Sequence, residues 1–215
     1  MTSVAIALYD GFTALDVVGP YQMLAMTPGV RATLVAERVG GVLDDRESLT
    51  LQATASFDDV TDPDVVVVPG GPGTEQMLSG ALPDWVARVH PTTTWTTSVC
   101  SGSLILAAAG LLTGIPAACH FLHLETLGLF GAVPTPQRVV EVPESRIITA
   151  AGVSSGIDMA LRLSELLTDR TTAEAIQLWT EYDPQPPFDS GAPAKASEEV
   201  LERATAYELA ARRSS

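Results

Sequence analysis

Residues 64–73 read DVVVVPGGPG and carry the clearest strand signal in the chain. Four consecutive valines predict a strand buried on both faces, as in the middle of a parallel sheet. The glycines after Pro69 predict a sharp turn where this strand ends. Strand and helix patterns alternate around it, with strands predicted at Val4–Leu8, Arg31–Glu37, Thr94–Val99, Arg138–Val142 and Arg146–Ala150, and helices at Thr13–Leu24, Ser101–Leu112, Phe121–Leu129 and Ser154–Leu167. This alternation predicts a doubly wound α/β sandwich whose reactive groups gather at the carboxyl ends of the strands.

The composition favours one globular domain over residues 1–215. Apolar residues make up 46% of the chain and charged residues 18%, which is ample apolar material for a sheet covered on both faces. The net charge of -14 repels phosphate backbones and anionic lipid surfaces, so neither nucleic acid nor a membrane is predicted as a partner. The apolar run Leu104–Leu112 is far shorter than the ~20 residues of a membrane span. We therefore expect a soluble, cytoplasmic protein.

Residues 97–112, TSVCSGSLILAAAGLL, place Cys100 between a predicted strand and a predicted helix. Such a turn is expected to expose the sulfur beside the helix N-terminus, where positive potential lowers the thiol pKa below the ~8.5 of free cysteine. Gly102 and Ser103 are small, as a tight strand-to-helix turn requires. The second cysteine, Cys119, has no such setting and is interpreted as a packed structural residue. Two cysteines at this spacing predict neither a disulfide framework nor a zinc site.

Three segments resemble the DJ-1/PfpI superfamily, namely VVVVPGGPGT at 65–74, TSVCSGSLILAAAGLL at 97–112 and AAGVSSGIDMAL at 150–161. The resemblance covers nearly the whole chain. Within the superfamily, LDVVGPYQML at 15–24 and EYDPQPPFDSGAP at 181–193 are similar to the isonitrile hydratases. The resemblance implies a flavodoxin-like three-layer α/β/α sandwich with a mostly parallel central sheet and a nucleophile elbow. It also implies a homodimer and makes Cys100 the nucleophile.

Asp16 lies just after the first strand, whose carboxyl end should face the same crevice as Cys100. Its spacing from Thr13 also fits a helix capping box, with Asp in place of the preferred Glu. The resemblance favours a catalytic role, because isonitrile hydratases have an acid at the matching position, and it makes Asp16 the candidate proton donor. Ser101 corresponds to a hydroxyl residue, commonly Thr, in that group. We expect it to orient the acid or the water.

Gly70 and Gly71 follow the valine strand, where their backbone N–H groups could approach the reacting atom or the substrate nitrogen. A simple tight turn is the alternative interpretation. The glycines do not continue into a dinucleotide fingerprint, since Gln76 occupies the third glycine position and no P-loop lysine follows. The sequence therefore predicts no cofactor and no metal.

The reaction implied by the resemblance is addition of water to a small uncharged isonitrile, giving an N-substituted formamide through a cysteine thioimidate. No amine leaves in this reaction, so it needs no histidine acid. One alternative is an amidase or protease, which requires His120 within hydrogen-bond distance of Cys100. The PfpI-type proteases have a histidine directly after the nucleophile, at the position of Ser101 in this sequence. Another is a cysteine redox sensor. His123 and Glu125 are interpreted as a non-catalytic pair, a decoy, because residues two positions apart in a helix point in different directions.

Overall fold

The valine strand forms the centre of a large sheet. A computed structural model describes the backbone of residues 1–214 and, apart from Leu209 and residues 211–214, their side chains. The strands are β1 (Thr2–Ala7), β2 (Val30–Ala36), β3 (Gly40–Leu43), β4 (Thr50–Ala53), β5 (Ala55–Ser56), β6 (Val65–Val68), β7 (Trp95–Val99), β8 (Pro116–Ala117), β9 (Val133–Pro134), β10 (Val139–Val142) and β11 (Ile147–Ala150). The α-helices are α1 (Ala14–Ala25), α2 (Ala81–Val89), α3 (Gly102–Ala108), α4 (Leu124–Leu129), α5 (Ser155–Leu167), α6 (Arg170–Trp179) and α7 (Glu198–Ser214).

Seven of these strands form the main sheet in the order β10-β11-β7-β6-β1-β2-β5. All neighbours are parallel except β10, which runs antiparallel to β11. The four valines of β6 occupy the middle position and are fully buried. Strands buried on both faces have no solvated side, which explains the uninterrupted apolar run. The predicted mostly parallel sheet is confirmed.

Helices flank this sheet in two groups, giving the predicted three layers. On one side α1 packs against α5, and α5 also packs against α6; on the other, α2 packs against α3. The α5 helix buries Met159, Ala160 and Leu163, which recur at helical spacing along one face. Gly156 allows α5 to approach closely, because a Cβ there would lie 3.0 Å from Val99 and 3.1 Å from Pro20.

Several element bounds differ from the sequence-based expectation. The helix expected at Thr13–Leu24 begins and ends one residue later, at Ala14–Ala25, and contains Pro20 in its interior. The helix after Cys100 ends at Ala108 instead of Leu112, because Gly110 adopts a left-handed conformation with φ 79°. The expected helix over Phe121–Leu129 is divided into a short 3-10 turn and α4.

The carboxyl ends of β1, β6 and β7 lie side by side, so the segments that follow them meet at one edge of the sheet. Gly102 is required for this meeting, because a Cβ on it would lie 2.3 Å from the carbonyl oxygen of Val68. Among residues 1–214, none of the helices has the length and apolar character needed to cross a membrane.

Candidate active site

Cys100 directly follows β7 and adopts a left-handed backbone conformation with φ 59°. Its N–H is shared between the carbonyl oxygens of Ala150 and Ala151, at 3.2 and 3.0 Å. A non-glycine residue in this region stores about 1–3 kcal/mol of strain, which the surrounding structure must hold in place. Such strained strand-to-helix turns present nucleophiles in other folds. The elbow expected from the sequence is therefore present at Cys100.

The protonation behaviour of Cys100 corrects the sequence-based expectation. The residue is buried, with 6% of its surface exposed, and burial raises the pKa of the thiol well above its ordinary value. The nearby charge of Asp16 raises this pKa further, while hydrogen bonds from the backbone of Val153 and Ser101 lower it by less. The expected lowering by the helix N-terminus is wrong, because desolvation outweighs the favourable contribution of those amides. Cys100 is a neutral thiol at neutral pH.

Asp16 is fully buried at the start of α1, and its carboxyl group faces Cys100. Oδ2 accepts a hydrogen bond from the Gly70 N–H at 2.8 Å. Oδ1 is buried and has no partner of standard geometry among the described residues. Burial raises the pKa of Asp16 to about 7, although the Gly70 amide and the Cys100 thiol lower it. The carboxyl group therefore exchanges its proton near neutral pH, beside the sulfur.

The capping-box interpretation of Asp16 does not hold. A capping box requires the Asp16 carboxyl to accept the Thr13 N–H, but that N–H donates to the carbonyl oxygen of Gly70 at 2.8 Å. The Thr13 hydroxyl in turn donates to Asp45 Oδ2 at 3.2 Å and caps no amide of α1. The Asp16 carboxyl thus accepts the Gly70 N–H, and it takes no part in a capping box.

The N–H groups of Gly70 and Gly71, expected to approach the substrate, both donate hydrogen bonds to side chains of the protein. The Gly70 N–H binds Asp16, and the Gly71 N–H donates to Ser101 Oγ at 2.9 Å. Both amides therefore have protein acceptors, by which they position the two candidate side chains. Gly71 also lines the cavity over Cys100, so its expected approach to a substrate stays a prediction. A Cβ on Gly70 would lie 2.5 Å from both the nitrogen and Oγ of Ser101, so only glycine fits there.

We predict that Gly71→Ala strongly destabilises the protein. Gly71 has φ 149°, and an added Cβ would lie 2.4 Å from the carbonyl oxygen of Gly11. The strain and the clash together should lower the free energy of unfolding by at least about 3 kcal/mol, measured by urea denaturation. Gly191→Ala, where nothing lies within 4 Å of the new methyl group, is the matched control and should have no effect. An unchanged midpoint for Gly71→Ala would contradict this account of the turn.

Ser101 is buried and positioned by three contacts. Its Oγ lies 2.9 Å from the Gly71 nitrogen, 2.9 Å from Thr74 Oγ1 and 3.4 Å from the Gly71 carbonyl oxygen. None of these contacts reaches Asp16, so the expectation that Ser101 orients the acid finds no hydrogen bond to support it. The expectation that it orients water stays a prediction.

A cavity of about 270 Å³ opens over Cys100 and Ser101. Sequence reasoning missed much of its wall. The turn between β3 and β4 contributes Asp45 and Arg46, and α7 contributes Ala204, Tyr207 and Glu208. These segments are distant in sequence from the elbow and carry no local motif that marks them. Among residues 1–214, no group of three or more His, Cys, Asp and Glu side chains could hold a metal ion.

Two histidines line this cavity, and among the described residues neither has a hydrogen bond to Cys100. His120 Nδ1 accepts a hydrogen bond from the Leu122 N–H at 3.4 Å, which assigns the ring proton to Nε2. Burial lowers the pKa of His120, so the ring is neutral at neutral pH. His123, interpreted as a decoy, lines the cavity at the end of the 3-10 turn and pairs with Glu208 of α7 at 3.1 Å. That pair joins α7 to the cavity wall.

The burial of Asp16 predicts a pH-dependent stability. Its pKa is about 7 in the folded chain against an ordinary 3.8, so between these values the folded state keeps a proton that the unfolded state has released. The free energy of unfolding should fall as pH rises from 4 to 7, by about 3 kcal/mol from this group. Asp16→Asn should remove that dependence. Compared with the wild-type protein at the same pH, the variant should gain stability at pH 8 relative to pH 4. Urea denaturation at both values tests this, and parallel pH curves for the two proteins would contradict it.

The sheet order and the cysteine elbow define the class of protein. A DJ-1/PfpI family model matches residues 2–166, and the chain belongs to this family. It is 38% identical over 198 residues to the isonitrile hydratase of Pseudomonas putida, covering 92% of this chain and 86% of that protein. A THiJ/PfpI family protein from Pseudomonas syringae has a crystal structure with TM-score 0.90 and 37% identity, covering 99% of this chain and 90% of that chain. Oxidized DJ-1 from Toxoplasma gondii, at 21% identity, shares the fold with TM-score 0.75 over 86% of this chain and all of that chain.

Proposed function

We propose that this protein is an isonitrile hydratase that converts a small uncharged isonitrile into an N-substituted formamide. The observation that carries the proposal is a buried carboxyl group with a pKa of about 7 beside a neutral thiol at a strained elbow. The identity of 38% to the Pseudomonas putida isonitrile hydratase supports the same reaction. In this reaction Cys100 is the nucleophile, Asp16 the proton donor and acceptor, and Ser101 the residue that assists the water.

The first step forms a thioimidate. The terminal carbon of the isonitrile accepts the proton of the Asp16 carboxyl group while Cys100 Sγ forms a bond to that carbon. The thiol proton passes to the Asp16 carboxylate, so the carboxyl group is restored and the adduct is S–CH=N–R. A carboxyl group with a pKa near the working pH is suited to this exchange, because it can both give and recover a proton. A thiolate formed beforehand is not needed, which agrees with the raised pKa of Cys100.

The second step adds water to the same carbon. Asp16 protonates the imine nitrogen and its carboxylate takes a proton from the attacking water, which gives S–CH(OH)–NH–R. Collapse of this intermediate forms the carbonyl group of the formamide and breaks the S–C bond, and the hydroxyl proton returns to the sulfur. The oxygen of the product therefore comes from water, and no cofactor takes part in the bond changes.

The amidase alternative receives less support from the geometry. A cysteine amidase needs an imidazole nitrogen that accepts the thiol proton. The Nδ1 acceptor of His120 is already occupied by the Leu122 N–H, and Ser101 stands where PfpI-type proteases have a histidine. Incubation with peptide and anilide substrates should therefore release no amine.

Incubation with n-butyl isonitrile tests the proposed function. We expect N-butylformamide in an amount equal to the isonitrile consumed, with one 18O atom per product in H218O, measured by chromatography and mass spectrometry. Production of butylamine, or disappearance of isonitrile at the rate seen without protein, would overturn the proposal.

The remaining expectations concern the state of the chain. We propose a homodimer, supported by the apolar side chains of Leu15, Val18 and Tyr21, which are 40–42% exposed along one face of α1. Sedimentation of the full chain tests this. A single domain over residues 1–215 and a cytoplasmic location stay predictions.

A further inference from the structure

A chain of hydrogen bonds runs from the cavity into the core behind Ser101. The Gly71 N–H donates to Ser101 Oγ at 2.9 Å, and Ser101 Oγ lies 2.9 Å from Thr74 Oγ1. Thr74 Oγ1 lies 2.9 Å from the Tyr9 hydroxyl, which donates to the Pro69 carbonyl oxygen at 3.0 Å. Ser101 and Thr74 are 2% exposed and Tyr9 is 6% exposed, so bulk water cannot replace these partners. Neither Tyr9 nor Thr74 has a role in the reaction described above.

The groups at the two ends of this chain of hydrogen bonds determine which atom donates in each of its contacts. Gly71 N–H can only donate, and the Pro69 carbonyl can only accept, so the Tyr9 proton is committed to Pro69. Thr74 must then donate to Tyr9, and Ser101 must donate to Thr74. If Ser101 donated to the Gly71 carbonyl oxygen instead, at 3.4 Å, one of the two 2.9 Å contacts would hold no proton and leave two lone pairs facing each other. Only one arrangement gives a proton to all three contacts, the Tyr9–Pro69 bond included.

This arrangement fixes what Ser101 can offer to the cavity that it lines. Its proton points to Thr74 and one lone pair accepts the Gly71 N–H, which leaves one lone pair. A hydroxyl in this state accepts a hydrogen bond from the cavity and donates none. It also cannot carry a proton away, because the chain ends on a carbonyl oxygen that has no capacity to take one.

We propose that Tyr9 and Thr74 are positioning residues that hold Ser101 as a hydrogen-bond acceptor for the attacking water. The inference rests on the proposed function and deepens it. Water that donates one O–H to Ser101 Oγ directs a lone pair toward the thioimidate carbon, while its other proton is available to the Asp16 carboxylate. The network should therefore accelerate the second step, hydrolysis of the thioimidate, and leave the first step, attack by sulfur, unaffected.

Thr74→Val tests this assignment with n-butyl isonitrile as the probe. The substitution keeps the shape of the side chain but removes the acceptor for the Ser101 proton. We expect kcat to fall about tenfold, the effect of one lost hydrogen bond. Intact-protein mass spectrometry of quenched samples should show the variant accumulating an adduct of one isonitrile on Cys100, formed at the wild-type rate. Thr74→Ser should restore turnover, and Thr94→Val, at an exposed position, is the matched control.

A purely structural role for Thr74 gives a different pattern. It would slow adduct formation and the alkylation of Cys100 by iodoacetamide together with turnover, with no adduct accumulating. That pattern, or turnover at the wild-type rate in Thr74→Val, overturns the inference about Thr74. The proposed function is unaffected by either result as long as the wild-type protein produces formamide. Absence of formamide from the wild-type chain overturns both. If Thr74→Val does not fold, Tyr9→Phe removes the next member of the chain, and the same two patterns decide.

Discussion

Cys100→Ala should abolish the production of formamide from n-butyl isonitrile, with turnover reduced at least about 10⁴-fold. The proposed reaction passes through an S–C bond, and no other nucleophilic side chain takes the place of Sγ at the elbow. Alanine is compatible with the site because the removed sulfur borders a cavity, and the Asp16 carboxyl that loses its thiol neighbour keeps the hydrogen bond from the Gly70 N–H. The measurement is formamide produced per mole of protein at saturating isonitrile.

Cys119→Ala is the matched control for this change. Cys119 is also buried, and burial raises the pKa of its thiol to about 12, but it does not line the cavity above the elbow. Its removal should leave formamide production unchanged, although a loss of packing can lower stability by about 1 kcal/mol. Formamide production by Cys100→Ala at the wild-type rate would show that the sulfur is not the nucleophile.

Asp16→Asn should reduce kcat/KM by about 10²–10⁴-fold, the usual contribution of a positioned acid or base. Asparagine can still accept the Gly70 N–H, so the turn is preserved while the acidic proton is lost. In the wild-type chain the protonated carboxyl is the active form in the first step. Since its pKa is about 7, kcat/KM should be constant below this value and fall as pH rises through it. The residual activity of Asp16→Asn should show no such fall.

Asp62→Asn is the control for the change of charge. Asp62 is exposed just before β6, at the opposite end of the sheet from the elbow, and its substitution should leave the pH profile unchanged. A profile of Asp16→Asn that still falls near pH 7 would assign that ionisation to another group and remove Asp16 from its proposed role.

The fold was accessible from the sequence because its determinants are local. Four consecutive valines required burial on both faces, and alternating strand and helix patterns required crossover connections. The same reasoning placed Asp16 and Cys100 at one edge of the sheet, since both follow parallel strands. The position of Cys100 at a strained turn followed from a strand end and a helix start that meet at one residue.

The chemistry of the site was less accessible, because it depends on burial and on long-range hydrogen bonds. The predicted direction of the Cys100 pKa shift was wrong, because the sequence shows a helix N-terminus but does not show how deeply the sulfur is buried. The amides of Gly70 and Gly71 were assigned to the substrate, because their acceptors, Asp16 and Ser101, are distant in sequence. The approach of α7 to the cavity includes the contact of Glu208 with His123, which no local pattern encodes.

The proposed reaction requires that Asp16 holds a proton beside the Cys100 thiol at neutral pH. A titration of the side-chain carboxyl carbon of Asp16 by 13C NMR, with the signal assigned by its loss in Asp16→Asn, measures this directly. We expect a midpoint near pH 7. A midpoint near the ordinary value of 3.8 would contradict it, because Asp16 would then be ionised at neutral pH and have no proton to give to the isonitrile carbon.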